Sequence, residues 1–325
     1  MSAPAFIGVN TTEQLLDVGG KPKVNVLMST FNGLHYLDKQ IDSIVAQEKV
    51  SVHLTVRDDG STDGTLQFLT DVVSAYVNES FSLTVTSGEN IGFLDSFEKL
   101  LLTAKSYDYY AFSDQDDVWD SRKLAAAIAS IQSYGEKPAL YASSVSIVDE
   151  QLRPLSKNDF LGLRYSIPAE IIRHRLAGHT MVWNEALQKH IRCFGSMPVW
   201  SHDQYVVLAC LLVQGTLVFD SMSYVKHRRL DSSLTPGDGS LIKRLRHEWK
   251  LITNKDDRIN RRFLAKALMN KGGNSLSKED CEFLQLLDSD NSLSNRKKLL
   301  CSPMLHCGLA IGDIEAKLSI LFGKF

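Results

Sequence analysis

The chain has 325 residues, 44% of them hydrophobic and 23% charged, a composition that predicts a folded protein with a buried core and excludes a disordered one. Its formal net charge of −2 lacks the large cationic surplus that is typical of nucleic-acid-binding proteins. The sequence has five scattered cysteines, and it shows neither an apolar stretch long enough to cross a bilayer nor a signal-peptide pattern. We therefore expect a cytoplasmic protein with reduced thiols.

Short apolar runs alternate with stretches of helical periodicity in the first half of the chain. The predicted strands are 24–28, 52–56, 83–86 and 109–112, and apolar residues at helical spacing predict helices between them. This alternation predicts an α/β fold with a doubly wound, mostly parallel sheet flanked by helices. Ligands of such sheets bind beyond the carboxyl ends of the strands.

The second half is less regular. It predicts strands at 140–148 and 216–219, a buried helix at 206–212, and a turn-rich linker at 235–239. We therefore expect one domain over 1–235 and a helical C-terminal region over 240–325.

Two acidic turns follow predicted strands. If Asp114 and Asp116 lie in an extended segment, both carboxylates point the same way and share a target. Mg²⁺ or Mn²⁺ prefers such oxygens and leaves room for phosphate oxygens. A turn that caps the next helix is the alternative interpretation, and it applies equally to the second turn, at 58–64. Taken alone, Asp114 and Asp116 leave both interpretations open, whereas the turn at 58–64 favours the cap.

Together, the motifs resemble the family-2 glycosyltransferases. They are Thr-Phe-Asn-Gly at 30–33 with Leu37, Gln-Ile at 40–41 with Gln47, Arg-Asp-Asp-Gly-Ser-Thr-Asp at 57–63, Asn-Ile-Gly at 90–92, and Ser-Asp-Gln-Asp-Asp-Val-Trp at 113–119 with Lys-Leu at 123–124. The last is most similar to the bacterial rhamnosyltransferase-like branch. The resemblance implies a GT-A fold, a nucleoside-diphosphate sugar donor and inversion at the anomeric carbon. The nucleotide-sugar half is then about 22–125 and the acceptor half about 126–235.

The resemblance also implies roles on the donor side. Thr30 and Asn32 lie beside the nucleotide, and Asp58 accepts the ring N–H of a uracil or thymine, which suits UDP or dTDP. Asp114 faces the ribose and diphosphate, and Asp116 binds the metal. Gln115, Asp117 and Trp119 are further donor-side residues, and Asp117 and Trp119 shape the pocket. Lys123 either contacts a phosphate or the base, or is a solvated charge on a helix.

Inversion requires a base that takes the proton of the acceptor hydroxyl. By resemblance this base is Asp203, with a helix N-cap as its other interpretation. His202 is interpreted as a positioning or core histidine. His179 stands in the acceptor-side segment 178–184, where the family has a small residue after the glycine, so we expect an unusual acceptor pocket.

Two further residues, Trp200 and His227, each have a functional and a structural interpretation. Trp200 lies near the base and either stacks on a sugar or packs in the core. His227 ends a segment, 224–227, that resembles the family's Tyr-Arg-Gln-His, and is predicted to be a metal ligand, with a surface histidine as the alternative.

The segment 241–266 carries nine Lys/Arg and three Asp/Glu, and its apolar residues, Trp249 among them, fall on one helical face. Such a helix predicts peripheral contact with the anionic, cytoplasmic face of the inner membrane. Packing on the catalytic domain or on a second subunit is the alternative. The apolar stretch 303–325 is a further candidate for a dimer contact.

The sequence thus predicts inverting transfer of a sugar, with rhamnose favoured, from a dTDP- or UDP-sugar. The acceptor is a hydroxyl of a cell-surface glycan or its lipid-linked precursor, and the cofactor is Mg²⁺ or Mn²⁺. A sugar-phosphate nucleotidyltransferase is one alternative, but residues 30–33 lack its basic, glycine-rich phosphate loop. A non-catalytic sugar-binding protein of the same fold is the other.

Overall fold

The computed structural model of the protein describes residues 6–9, 20–158, 164–229, 261–323 and 325. The predicted linker at 235–239 and most of the basic segment 241–266 lie outside these described residues. Predictions about them therefore stay predictions.

The described residues form one ten-stranded, mixed but mostly parallel sheet. Its main order is β1-β10-β7-β9-β5-β2-β3-β4, while β6 pairs with β10 and β8 with β7. Strand β9 runs antiparallel to both of its neighbours, and β6 and β8 are also antiparallel to their partners. The strands are β1 Phe6–Val9, β2 Lys23–Thr30, β3 Ser51–Asp58, β4 Phe81–Ser87, β5 Tyr109–Ser113, β6 Val118–Trp119, β7 Ala139–Val148, β8 Pro154–Asn158, β9 Val182–Asn184 and β10 Thr216–Arg228.

Helices connect the strands and follow them at the C-terminal end. The predicted helix at 206–212 lies within α7, and the described part of the predicted C-terminal region is helical, as expected. The helices are α1 Leu34–Val45, α2 Thr65–Tyr76, α3 Phe93–Thr103, α4 Lys123–Ile131, α5 Ile167–Ile172, α6 Glu185–Phe194, α7 His202–Leu212, α8 Arg261–Gly272, α9 Lys278–Asp288, α10 Leu293–Leu300 and α11 Ala310–Leu321.

Side chains alternate between the two faces of the sheet. In β2, Val26 and Met28 belong to a core cluster shared with α1 and α4, whereas Leu27 belongs to a second cluster shared with α3 and α7. Successive residues of a strand point to opposite faces, so both faces of a doubly wound sheet must be covered by helices. The predicted fold class is confirmed.

The C-terminal helices share the second cluster. Leu264 and Leu268 of α8 and Phe283 of α9 are buried in the same core as α7. None of the described helices has the length and apolar character needed to cross a bilayer.

Candidate active site

The polar residues singled out in the sequence collect at the carboxyl edge of the sheet. The register pairs Thr30 of β2 with Asp58 of β3, and Met28 with Ser113 of β5. The chain therefore leaves the strands β2, β3 and β5 at about the same level, and the turns that follow them lie side by side.

The turn after β5 is bent. Gln115 and Asp116 lie in a bend, and the Gln115 amide binds the backbone of Phe31, accepting its N–H at 2.9 Å and donating to its carbonyl at 3.1 Å. Gly33 permits this approach, because a Cβ there would lie 2.2 Å from Oε1 of Gln115. The segment is therefore not extended as expected, and a shared target for Asp114 and Asp116 stays a prediction.

Four side chains form what we call the acid–histidine group: Asp114, Asp117, His179 and His227. One ligand atom from each lies within 4.8 Å of the others. His179 Nδ1 lies 3.0 Å from Oδ2 of Asp114, and His227 Nδ1 lies 2.8 Å from Oδ1 of Asp117. The two imidazole rings stack with centroids 4.7 Å apart. Oδ2 of Asp117 and Nε2 of His179 are buried without a hydrogen-bond partner.

Negative charge dominates around this group. Burial, together with the charges of Asp117 and Asp114, raises the pKa of Asp116 to about 7. Burial disfavours a charged ring at His227, but its hydrogen bond to Asp117 and the nearby carboxylates outweigh burial and raise the pKa of His227 to about 9. The surroundings thus favour bound protons, or another cation in their place.

These residues fit a divalent cation. Carboxylate oxygens and imidazole nitrogens are ligands that Mg²⁺ and Mn²⁺ accept. Asp117 engages Nδ1 of His227 and leaves the other ring nitrogen for a ligand bond, an arrangement common behind metal-binding histidines. The half-buried Asp116 lies outside the four-residue group, but it is close enough for Asp114 and Asp117 to shift its pKa.

The turns after β2 and β3, where donor-side residues are predicted, are joined by hydrogen bonds. Thr30 is buried and donates to Oδ2 of Asp58 at 3.1 Å, and the Ser61 N–H reaches Oδ1 of Asp58 at 3.0 Å. The exposed Asn32 accepts the N–H of Thr62 at 2.8 Å. These bonds fix the Asp58 carboxylate in one orientation.

Lys123 is completely buried, so its solvated-charge alternative is wrong. Its Nζ lies 3.4 Å from the centroid of the Trp119 ring, and Trp119 itself is 4% exposed. Burial lowers the pKa of Lys123 well below its usual range, and the charge of Asp117 counters only part of this effect. Lys123 and Asp117 therefore form part of the buried floor of the site.

Asp203, in the first turn of α7, is linked to the acid–histidine group through Gly178 and His179. Its Oδ2 accepts the N–H of Gly178 at 3.2 Å, and the next residue, His179, reaches Asp114. A Cβ on Gly178 would lie 2.7 Å from Nε2 of His202 and 3.2 Å from the Cβ of Asp203. One short segment therefore joins the candidate base to the candidate metal site.

The other predicted acceptor-side residues have different surroundings. His202 is buried and stacks on Phe97 with ring centroids 3.9 Å apart, as a core histidine does. Trp200 is half-buried, with the Arg261 guanidinium 4.8 Å from its ring centroid. His179 lies in the acid–histidine group.

Sequence reasoning missed His174 and Glu170. Nδ1 of His174 lies 2.6 Å from Oε2 of Glu170, and its Nε2 lies 3.4 Å from Oδ1 of Asp203. One signal was available, because Glu170 interrupts an otherwise apolar helix, α5, and His174 follows it at helical spacing.

Residues 25–190 match the family described as Glycosyl transferase family 2. A dTDP-rhamnosyl transferase, RfbG of Shigella flexneri, is 34% identical over 104 residues, which are 31% of this chain and 35% of the relative. A cholesterol galactosyltransferase of Borreliella burgdorferi is 32% identical over 108 residues, 33% of this chain and 29% of the relative. These alignments span about a third of the length of the curated relatives.

Among solved structures, residues 1–349 of S. aureus TarS in complex with UDP-GlcNAc are similar to this chain with a TM-score of 0.52 and 18% identity. The similarity covers 93% of this chain and 87% of that one. At this identity the likeness concerns the fold, which is GT-A.

Proposed function

The chain belongs to glycosyl transferase family 2, and on that premise we propose that it transfers a sugar from a nucleoside-diphosphate donor to a hydroxyl of an acceptor, with inversion at the anomeric carbon. One observation carries the proposal. The acid–histidine group, which suits a cation and a diphosphate, is joined through Gly178 and His179 to Asp203, which suits a base. A transferase needs these two parts side by side.

The donor we favour is dTDP-rhamnose, and a UDP-sugar is the alternative. The similarity to a dTDP-rhamnosyl transferase supports rhamnose. A comparable similarity to a galactosyltransferase supports a sugar other than rhamnose. In either case Asp58, held by Thr30 and Ser61, is proposed to accept the N–H of a thymine or uracil ring. We propose a cell-surface glycan or its lipid-linked precursor as the acceptor.

A bound Mg²⁺ or Mn²⁺ supplies counter-charge to the diphosphate as it leaves. Asp116 and His227 are proposed to hold the cation, and Asp117 orients the ring of His227 through its 2.8 Å contact. Asp114, which contacts His179, contributes further negative charge to the group.

Asp203 is proposed to take the proton of the acceptor hydroxyl while the oxygen attacks the anomeric carbon from the face opposite the diphosphate. Its Oδ2 is fixed by the Gly178 N–H, and its Oδ1 accepts the N–H of Gln204 at 2.9 Å. A carboxylate held in this way needs little rearrangement when the acceptor binds.

The first experiment is a thermal-shift screen of dTDP- and UDP-sugars with Mn²⁺, followed by a transfer assay with the sugar that binds. A ligand that binds the folded state raises the melting temperature. We expect stabilisation by the matching nucleotide sugar, with a larger effect when Mn²⁺ is present. Asp116→Ala should abolish both the Mn²⁺ effect and the transfer.

The control for this variant is Asp38→Ala, which removes an exposed carboxylate from α1. It should behave like the unmodified protein. An Asp116→Ala variant that is active and insensitive to EDTA would contradict the metal assignment. Binding of a nucleotide sugar without transfer or hydrolysis would favour a non-catalytic sugar-binding protein.

Contact with a membrane and with a second subunit stay predictions. The basic segment that motivates the first lies largely outside the described residues. For the second, Ile314, Leu318 and Leu321 of α11 are exposed, and exposed apolar side chains close together on a helix support a contact of this kind.

A further inference from the structure

A largely buried histidine, His174, contacts the candidate base. Nε2 of His174 lies 3.4 Å from Oδ1 of Asp203, while the Gly178 N–H binds the other oxygen at 3.2 Å. The side chains of His174 and Asp203 are only 13% and 17% exposed. Both oxygens of Asp203 therefore have partners within the protein, and the carboxylate is held in one orientation.

The partners of His174 show where its protons lie. Nε2 is 2.6 Å from the carbonyl oxygen of Leu176, which can only accept, so this nitrogen carries a hydrogen. Nδ1 is 2.6 Å from a carboxylate oxygen of Glu170, whose side chain is 3% exposed. A neutral ring would leave Glu170 and Asp203 as two nearly buried carboxylates without a counter-charge between them, which is costly. The geometry favours an imidazolium that donates from both nitrogens.

We propose that His174, backed by Glu170, is a positioning residue that fixes the orientation of Asp203 and keeps its carboxylate ionised until the acceptor hydroxyl arrives. This inference rests on the proposed function, because it takes Asp203 to be the base. The atoms of His174 take no part in the proton transfer, which runs from the acceptor hydroxyl to Asp203.

The electrostatics agree with this role. Burial opposes charge on both partners, but their attraction outweighs it. The pKa of Asp203 is lowered far below its usual range, and the pKa of His174 is raised well above its usual range by Asp203 and Glu170. Other charged or titratable groups near this cluster include His202 on α7, Tyr165 and Arg175 on either side of α5, and Arg261 on α8. At the end of α5, Arg173 forms an ion pair with Glu315 of α11. The two carboxylates that raise the pKa of His174 are Asp203 and Glu170.

A spectroscopic test needs neither donor nor acceptor. ¹⁵N-edited NMR of the histidine rings, with the His174 signals assigned by their loss in His174→Gln, reports the protonation of both nitrogens. We expect His174 to be doubly protonated from pH 6 to 8, and to release its second proton about one pH unit or more lower in Asp203→Asn. A neutral His174 at pH 7, or an unchanged titration in Asp203→Asn, would overturn the proposal.

A kinetic experiment tests the interaction of His174 with Asp203. His174→Gln keeps a donor group but removes the charge, so the pKa of Asp203 should rise and the acidic limb of the kcat–pH profile should move to higher pH. We expect kcat at pH 7 to fall about tenfold to a hundredfold with little change in the KM for the donor. A loss of kcat that is equal at every pH would indicate a merely structural role and would refute the positioning role.

His190→Gln is the matched control, because His190 is exposed on α6. It should leave both readouts unchanged. If the unmodified protein neither binds nor transfers a nucleotide sugar, the proposed function fails, whereas the NMR result still decides whether His174 and Asp203 are coupled.

Discussion

Histidine suits a site that is proposed to bind a cation. A protonated ring donates to carboxylates, whereas a neutral ring offers a nitrogen lone pair to a metal. His179 and His227 face Asp114 and Asp117 at hydrogen-bonding distance. The same carboxylates that attract the protons would attract a divalent cation.

Asp203→Asn tests the base at the scale of one residue. The amide has the same shape but cannot accept the proton, so we expect turnover to fall about 10²- to 10⁴-fold. Donor binding should persist, because Asp203 is not among the donor-side residues. The measurement is transfer rate together with the thermal shift given by the nucleotide sugar.

Asp38→Asn, an exposed exchange of the same kind on α1, is its control and should keep full turnover. Near-normal turnover in Asp203→Asn would remove Asp203 as the base. Loss of donor binding would instead show that the residue acts on the donor side.

At the scale of elements, the short 3₁₀ turn Gly178–Thr180 connects two parts of the site. Its first residue binds Asp203 and its second contacts Asp114. A shift of this turn would change the contact of Gly178 with Asp203, the proposed base, and that of His179 with Asp114.

Gly178→Ala tests that connection. The added methyl would lie 2.7 Å from Nε2 of His202 and 3.2 Å from the Cβ of Asp203, so these side chains must move. We expect the free energy of unfolding to fall by about 1–3 kcal/mol. We also expect kcat to fall on the order of 100-fold, because small displacements of catalytic groups are costly. Denaturant unfolding and transfer kinetics measure the two effects.

Gly20→Ala is the matched control, since no described atom lies within 4 Å of a Cβ placed there. It should change neither quantity. Unchanged kcat in Gly178→Ala would mean that the position of this turn does not affect the base.

The elements themselves were predictable where they are long. The predicted strands 24–28, 52–56, 83–86 and 109–112 lie within β2, β3, β4 and β5. The two-residue β6 and the three-residue β9 were not predicted, because so few residues show no periodicity. Yet β9 fills the gap between β5 and β7, and it directly follows the turn that carries His179.

At the scale of the whole molecule, two groups of the site make the free energy of unfolding depend on pH. Asp116 has a pKa of about 7 against an ordinary 3.8, and His227 about 9 against 6.5. Each group binds its proton more tightly when folded, so its stabilising contribution is complete below the ordinary pKa. That contribution is lost as the pH rises to about 7 for Asp116 and to about 9 for His227.

Binding of a cation should instead make the free energy of unfolding increase with pH. Its ligands must lose their protons, so we expect the affinity for Mn²⁺ to rise about tenfold per pH unit between pH 7 and 8. Titration calorimetry in buffers of different ionisation enthalpy would measure both the affinity and the proton release. His227→Gln should flatten the dependence, and an affinity independent of pH in the unmodified protein would contradict the assignment.

The sequence by itself determined the fold class and much of the candidate site. Periodicity indicated the doubly wound sheet, and the motifs at strand ends pointed to one edge of it. The position of Asp203 before an apolar helical run placed it at the N-terminus of α7.

Only the tertiary structure decided which side chains meet. Asp114 and His179 are 65 residues apart in the chain, and Asp117 and His227 are 110 apart. Their contacts depend on the strand order and on the antiparallel insertion of β9, which no local pattern encodes. The contact of His174 with Asp203 could not be predicted for the same reason, because it depends on the packing of α5 against α7.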